Sequence, residues 1–207
     1  MSLYNINNKL IKGSYGLITA CEPYTPPGLE SVIVGLQGNQ QEWLKYNLSI
    51  DDGQGGIVVR DIGTVNGVNM GIQYYYTYEA AVRVANSVSG WHLPTKSELE
   101  TLQDIAAVGQ WTPGGLIIRQ AGMTLKSNEG WNEDNGIDYW GFAAYPVGEI
   151  ISNNPNTIVN KGSVATYWSI TENNTNEAYN LYFGLIDTAG IGTEYKNCYK
   201  SIRLIKD

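Results

Sequence analysis

The helical spacing of apolar residues is confined to one stretch of this chain, residues 77–109, and this limits the fold more than any other feature. Thr77 suits the N-cap of a first helix, which Gly90 would end. The apolar residues of this helix fall on one face: Ala80, Ala81, Val84, Ala85 and Val88. The sequence therefore predicts an amphipathic helix here.

A second helix has the clearest local signal in the chain. Thr95 and Glu98 form a capping box, in which each side chain satisfies a backbone N–H at the helix start. The apolar residues that follow supply a buried stripe: Leu99, Leu102, Ile105 and Ala106. We expect this helix to end near Gly109.

After Gly114, short apolar runs alternate with Gly, Asn and Pro turns, which is typical of strands. The sequence predicts strands at 42–48, 57–59, 116–118, 166–170, 178–183 and 201–205. In the last of these, Ile202 and Leu204 alternate with Arg203, as in a half-buried strand. Two early helices followed by an irregular sheet predict an α+β fold.

The composition favours a surface that is aromatic and also hydrated. Charged residues make up only 16% of the chain, against roughly a quarter in typical domains. There are 15 Tyr and 6 Trp but only 2 Phe, so most aromatic side chains carry a hydrogen-bonding group. Such side chains are typical of binding surfaces.

Charge argues against one class of partner, nucleic acid, and the length of the apolar stretches argues against another, the membrane interior. A net charge of −7 without any basic run argues against nucleic acid, because phosphate contacts need clustered Lys and Arg. No apolar stretch approaches the roughly 18 residues of a membrane span, so we expect no membrane insertion. The N-terminus lacks the features of a signal peptide, which favours synthesis in the cytoplasm.

Residues 1–36 differ in pattern from the rest of the chain. We expect them to form an N-terminal arm or attachment segment, followed by a compact domain over residues 37–207. The arm contains Pro26-Pro27-Gly28, which interrupts both helix and sheet. Attachment or oligomer contacts are its expected uses, and we predict a homo-oligomer, specifically a trimer. A flexible tail is the alternative.

The inventory of reactive side chains argues against an enzyme. His92 is the only histidine, and its position before a capped helix indicates a packed, hydrogen-bonded residue rather than a catalytic base. Cys21 and Cys198 lie near opposite ends, and two buried thiols are expected, with a disulfide as the alternative. We predict a protein with no catalytic residues and no required cofactor.

One loop, residues 132–138, is rich in side-chain oxygens. Asn132, Asp134 and Asp138 flank a Gly turn and would suit Ca²⁺, which takes six to eight oxygen ligands. The distal Glu of an EF-hand is missing, and Asx-rich turns are more often only turns. Both interpretations, a calcium site and a plain turn, stay open.

The predicted binding surface lies in residues 171–199, where Asn and Tyr are dense. Amides make paired polar contacts and Tyr rings stack on apolar faces, which suits a sugar or protein ligand. The predicted ligand-binding residues are Asn173, Asn174, Asn176, Tyr179, Tyr182, Tyr195, Asn197 and Tyr199. The alternative is a solvated meander with Tyr on its strand faces.

Several short strings, taken in order, resemble a known family. They are QEWLKYNL at 41–48, GWHLPT at 90–95, GWN at 130–132, GFAAYPVG at 141–148, ATYWSITE at 165–172 and SIRLIKD at 201–207. Their order and spacing resemble the Fibrobacter succinogenes major paralogous domain. The resemblance implies a C-type-lectin-like fold, with two helices and a twisted, mostly antiparallel sheet whose long loops carry binding.

Lectin-like domains of this kind occur on bacterial surfaces and in phage receptor-binding proteins. The missing leader favours the phage setting, because a virion protein is assembled in the host cytoplasm. We therefore predict a non-catalytic virion fibre or decoration protein that binds a cell-surface or mucosal glycan or protein, with its arm contacting other virion proteins. A bacterial cell-surface or secreted adhesin-like module and a purely structural virion component are the alternatives.

Overall fold

A computed structural model of the chain describes residues 29–112, 115–151, 154–184 and 189–207. Cys198 lies in this part of the chain and is buried, whereas Cys21 and residues 1–28 of the predicted arm lie outside it. The structure therefore does not test whether the two cysteines are separate buried thiols, as predicted, or form the alternative disulfide.

Three helices occur in the described residues: α1 (Tyr78–Ala85), α2 (Lys96–Ala106) and α3 (Ala121–Leu125). The first two confirm the predicted helix starts and N-caps, but α1 ends at Ala85 rather than at Gly90, and α2 ends at Ala106, slightly before Gly109. Thr77 accepts from the Ala80 N–H, and both halves of the Thr95–Glu98 capping box are formed. The short α3 was not predicted, because five residues carry too little periodicity to detect. None of the described helices is long and apolar enough to cross a membrane.

Short strands make up most of the remaining regular structure. In chain order they are β1 (Ser31–Val34), β2 (Gln41–Leu44), β3 (Ile57–Asp61), β4 (Thr64–Val65), β5 (Val68–Asn69), β6 (Ile72–Tyr76), β7 (Trp91–His92), β8 (Val108–Thr112), β9 (Gly115–Arg119), β10 (Ala165–Glu172), β11 (Glu177–Phe183), β12 (Ala189–Tyr195) and β13 (Ile205–Lys206). Helices together with antiparallel strand pairs are the features of an α+β fold.

The largest sheet has the order β1-β2-β13-β7, so the end of the chain lies between two early strands. Trp43 of β2 pairs with Val32 on one side and with Ile205 on the other. A second sheet has the order β10-β11-β12, and β3-β6, β4-β5 and β8-β9 form two-stranded ribbons. Residues 31–34, assigned to the arm from the sequence, therefore belong to the first sheet.

The segment before β13 differs from the prediction. Residues 201–205 were predicted to form a half-buried strand, but all five are buried and only Ile205 lies within a strand. Ile202 and Leu204 pack in one apolar cluster, and Ile205 packs in another. The segment is buried on both sides because it runs between these two clusters.

Among the described residues, the buried apolar side chains form three groups. The first joins β2, α2, α3 and the β10-β11-β12 sheet, and it includes Trp43, Leu102, Phe142, Tyr167 and Phe183. The second, which includes Tyr76, Val84 and Trp168, lies against α1. The third, smaller group includes Tyr75, Val147 and Ile150. Helices α1 and α2 thus pack against the sheets through the apolar faces that their sequence periodicity predicts.

His92, in β7, connects α2 with the last residue described. Its Nδ1 lies 2.7 Å from Asp207 Oδ1, and its Nε2 lies 2.9 Å from Glu98 Oε1. Burial lowers the pKa of His92, but the hydrogen bonds and charges of Glu98 and Asp207 outweigh burial, so this pKa lies above its ordinary value. Both ring nitrogens are engaged, as expected of a packed, hydrogen-bonded histidine.

The free energy of unfolding should fall as pH rises through the raised pKa of His92. The contribution of His92 is complete below its unfolded pKa of about 6.5 and is lost as pH passes its higher folded pKa. His92→Gln removes this titration, so its stability should vary less between about pH 6 and 8. Urea unfolding across that range, with an NMR titration of the single histidine, measures the effect. An unchanged pH profile in the variant would contradict it.

Thr95→Ala should destabilise the protein by about 1 kcal/mol, because the Glu98 N–H at the start of α2 loses its acceptor. The same substitution removes the 2.8 Å bond from Thr95 Oγ1 to the Glu98 carboxylate. Ser97→Ala is the matched control, since Ser97 is an exposed residue of the same turn, and it should cost less than about 0.5 kcal/mol. Equal losses in the two variants, measured by urea unfolding, would show that the capping box contributes nothing.

Candidate functional site

A cleft of about 400 Å³ opens where the segment after β2 meets the residues before β13. We call it the Arg203 cleft. It is lined by Tyr46, Asn47, Ser49, Val68, Asn69, Met70, Gln73, Glu129, Tyr145, Val147 and Arg203. Most of these side chains are neutral and polar or aromatic, so the cleft offers hydrogen bonds and ring faces together.

Backbone pairing places Asn47 beside Arg203. The N–H of Leu44 donates to the Leu204 carbonyl at 2.9 Å, and the N–H of Leu48 donates to the Ile202 carbonyl at 3.0 Å. These two bonds hold residues 44–48 alongside residues 202–204. Asn47 and Arg203 lie between the two bonds and therefore face each other across the pair.

A tight hairpin supplies another wall of the cleft. Strands β4 and β5 are joined by Asn66 and Gly67, whose φ angles of 49° and 84° are both positive. Two positive φ angles are required by a type I′ turn, and Asn-Gly is its preferred sequence. Asn66 Nδ2 also donates to the Gly130 carbonyl at 3.0 Å, which fixes the hairpin against the loop that carries Glu129.

Arg203 lines the cleft although only 2% of it is exposed. Its Nη1 donates to the Phe142 carbonyl, and its Nη2 donates to Asn47 Oδ1 at 2.7 Å. The guanidinium carbon lies 4.2 Å from the Phe142 ring centre and 5.2 Å from that of Tyr167. Burial lowers the pKa of Arg203, because a charge is costly away from water. The two ring faces offset part of that cost.

A short chain of amide hydrogen bonds runs from Arg203 along the cleft. Asn47 Nδ2 donates to Gln73 Oε1 at 3.5 Å, and Gln73 Nε2 donates to the Met70 carbonyl at 2.6 Å. Because Asn47 Oδ1 accepts from the guanidinium, its Nδ2 must face Gln73, and this fixes the orientation of both amides. The polar wall is therefore ordered before any ligand arrives.

Tyr145 lies within reach of opposite charges in the cleft. Burial raises the pKa of Tyr145, the negative charge of Glu129 raises it further, and the positive charge of Arg203 opposes both. The cleft therefore carries a carboxylate and a buried guanidinium, with a neutral phenol that both charges influence. A ligand here would meet a hydrogen-bond acceptor at one place and a cation at another.

Three of the predicted binding residues come together elsewhere. Asn176, Tyr195 and Asn197 line a shallow cavity of about 320 Å³, together with Glu79, Thr175 and Lys196, and we call it the turn cavity. Lys196 Nζ donates to the Thr175 carbonyl at 3.0 Å and pairs with Glu172 at 2.9 Å. Tyr195 is 56% exposed, so its ring is available to a ligand.

The other predicted binding residues are dispersed. Asn173 and Asn174 both donate to Glu177 Oε2, which closes the turn between β10 and β11. Tyr179 lies under the Lys96 ammonium, 5.0 Å from its ring centre. Tyr182 is 44% exposed and covers Gly190, where a Cβ would overlap its ring. Tyr199 packs against the third apolar cluster.

Two of the three predicted calcium ligands, Asn132 and Asp138, are engaged in protein contacts. Asn132 Oδ1 accepts from Asn66 at 2.9 Å, and its Nδ2 donates to Ser163 Oγ at 2.8 Å. Asp138 Oδ1 accepts from the Ala143 N–H at 2.7 Å, while Asp134 is exposed. Within the part of the chain that the structure describes, no three His, Cys, Asp or Glu side chains form a metal-binding group. These contacts favour the turn interpretation.

We expect neither Ca²⁺ nor a chelator to change the midpoint of thermal unfolding. A bound ion would stabilise the folded state by mass action, and it would compete with Asn66 for Asn132 Oδ1. Thermal unfolding with Ca²⁺, with Mg²⁺ and with EDTA measures this. A rise in the midpoint with Ca²⁺ alone, lost in Asp134→Asn, would establish the calcium site instead.

Sequence reasoning missed the Arg203 cleft. Its residues come from five separate stretches of the chain and form no local motif. The available signal was Arg203 itself, a charged residue among the apolar residues of the last segment. An arginine flanked by Ile202 and Leu204 was interpreted as facing solvent, but it is buried.

Comparison with known protein families matched residues 36–206 to the Fibrobacter succinogenes major domain. No curated protein matched the chain, and no solved structure matched it either. The family match begins one residue before the domain expected from the sequence, and it confirms the family resemblance noted in the sequence. Since the match covers far more than half of the 207 residues, this chain belongs to the Fibrobacter succinogenes major domain family.

Proposed function

We propose that this chain is a non-catalytic binding module whose Arg203 cleft holds a cell-surface or mucosal glycan. One observation carries the proposal: a cleft of about 400 Å³ lined by ordered amides, a hydroxyl and two tyrosines. Small-molecule sites are typically concave, with a few polar groups in fixed positions. The side-chain amides of Asn47 and Gln73, which are hydrogen-bonded to each other, are such groups.

The chemistry of the lining suits a sugar better than an apolar ligand. Side-chain amides both donate and accept, as sugar hydroxyls do, so one amide can serve two neighbouring hydroxyls. Tyr46 is 54% exposed beside this wall, and a ring in that position can stack on the apolar face of a pyranose. Glu129 adds an acceptor for hydroxyl donors.

We further propose that the arrangement of elements is C-type-lectin-like. Two capped helices, mostly antiparallel sheets and long connecting loops support this proposal. The cleft lies on loops and strand ends rather than on a helix, which agrees with loops as the carriers of binding.

The biological setting stays a prediction from the sequence. A virion fibre or decoration protein with host or mucosal recognition is our first proposal, and a homo-oligomer is the expected state. A bacterial surface or secreted adhesin-like module would use the same cleft. A purely structural virion component would instead leave the cleft without a ligand.

Tyr46→Ala should weaken glycan binding about tenfold, because loss of one stacked ring worth about 1.4 kcal/mol changes the dissociation constant by that factor. The labelled full chain is first screened on an array of bacterial and mucosal glycans. The strongest hit is then titrated by calorimetry against the wild type and the variant. Circular dichroism confirms that the fold is retained.

Two matched variants locate the site. Tyr139→Ala removes another exposed tyrosine outside both cavities and should leave the affinity unchanged. Tyr195→Ala tests the turn cavity, and a loss confined to this variant would transfer the site there. Binding of no glycan and of no bacterial cells would contradict the proposal. Chemical conversion of a bound glycan would show that the module is catalytic.

A further inference from the structure

None of the ion pairs between described residues includes Arg203. The charge of Asp138 acts on Arg203 from a distance and opposes the effect of burial on its pKa, but no described carboxylate pairs with the guanidinium in contact. Two neutral oxygens accept from the guanidinium of Arg203, the Phe142 carbonyl and Asn47 Oδ1, and its Nε has no hydrogen-bond partner among the described residues. A buried cation of this kind is costly, and a carboxylate would stabilise it more than an amide does.

Asn47 holds the place that a carboxylate oxygen would take. Its Oδ1 lies 2.7 Å from Arg203 Nη2, a distance typical of a charge-assisted bond. Asn47 also lines the cleft and is only partly buried, so its amide stands between the guanidinium and a ligand. If the amide turns aside, its Nδ2 becomes a second donor to the group that replaces it.

We infer that the glycan bound in the Arg203 cleft is acidic, and that its carboxylate pairs with Arg203. This inference rests on the proposed function and names its ligand class, a uronic acid or another carboxylated sugar. The carboxylate displaces Asn47 Oδ1 and accepts from the guanidinium. The sugar hydroxyls bond to Gln73 and Glu129, and the ring lies against Tyr46. A planar carboxylate matches the geometry of the guanidinium N–H groups, whereas a neutral sugar would leave the charge of Arg203 without an ionic partner in contact.

Asn47→Asp tests this without removing the arginine. The new carboxylate would lie where Asn47 Oδ1 now accepts from Nη2, so it would neutralise Arg203 from within the protein. Glucuronate should then lose at least about tenfold more affinity than the methyl ester of glucuronic acid, which carries no charge for the new carboxylate to repel. The midpoint of thermal unfolding should rise, because the buried charge gains a partner.

Asn69→Asp is the matched control. Asn69 lines the same cleft, but its Oδ1 accepts from the Gly71 N–H at 3.0 Å rather than from Arg203. This variant adds the same charge to the same cleft and should weaken glucuronate binding only slightly. An equal loss in both variants would overturn the pairing with Arg203, because general repulsion would then explain it.

The probes are glucuronate, its methyl ester, glucose, acetate and inorganic phosphate, each titrated into the full chain at millimolar concentration. The Nε–H signal of Arg203 in ¹⁵N NMR spectra reports contact with the guanidinium. Tighter binding of glucuronate than of the ester, glucose and acetate, with a shift of that signal, supports the inference. Phosphate binding as tightly as glucuronate would overturn the carboxylate preference.

The test separates failure of the inference from failure of the proposed function. Equal binding of glucuronate, ester and glucose would leave a glycan-binding module and overturn the acidic ligand. Binding of none of the sugars, together with a negative glycan array, would overturn both.

Discussion

The buried guanidinium of Arg203 connects parts of the molecule that are far apart in the sequence. It donates to Asn47 after β2 and to the Phe142 carbonyl, and it stacks on the rings of Phe142 and Tyr167. Its neighbours on either side pack in the second apolar cluster, and β13 follows between β2 and β7. The sheet, the core and the cleft therefore all depend on the correct placement of the last residues of the chain, which makes the fold dominated by long-range contacts.

The cleft follows from the same interaction. An arginine that faces only neutral acceptors orients Asn47, which in turn orients Gln73, so one buried charge orders a polar wall at the surface. A carboxylate that displaces Asn47 Oδ1 breaks the bond from Asn47 to Gln73, but Gln73 keeps its bond to the Met70 carbonyl, so only part of the wall has to be reorganised. Burying the Arg203 cation costs free energy, but the same buried cation orients Asn47 and Gln73 in the unliganded cleft.

The features that were predictable from the sequence are local ones. The caps at Thr77 and Thr95, together with the helical spacing that follows them, identify α1 and α2, because caps and periodicity involve residues a few positions apart. Burial of residues 201–205 depends on apolar clusters formed by residues distant in the sequence, so patterns over a few neighbouring positions cannot predict it. The site shows the same division: the density of Asn and Tyr after Glu172 was visible, but Asn173 and Asn174 use their amides on Glu177. Arg203 acquires its role only through the pairing of residues 44–48 with 202–204.

Recognition of an acidic sugar by an acidic protein requires that local charge outweigh net charge. The chain carries −7, but charges on its exposed surface are screened over about 8 Å at physiological ionic strength. Arg203 is buried, so its attraction for a carboxylate in the adjacent cleft is screened far less by water and salt. Long-range repulsion of an anion is therefore weak, whereas the short-range contact with the guanidinium decides how long the anion stays bound. Such a site would bind selectively without attracting polyanions in general, because it offers one cation at one position rather than a basic surface.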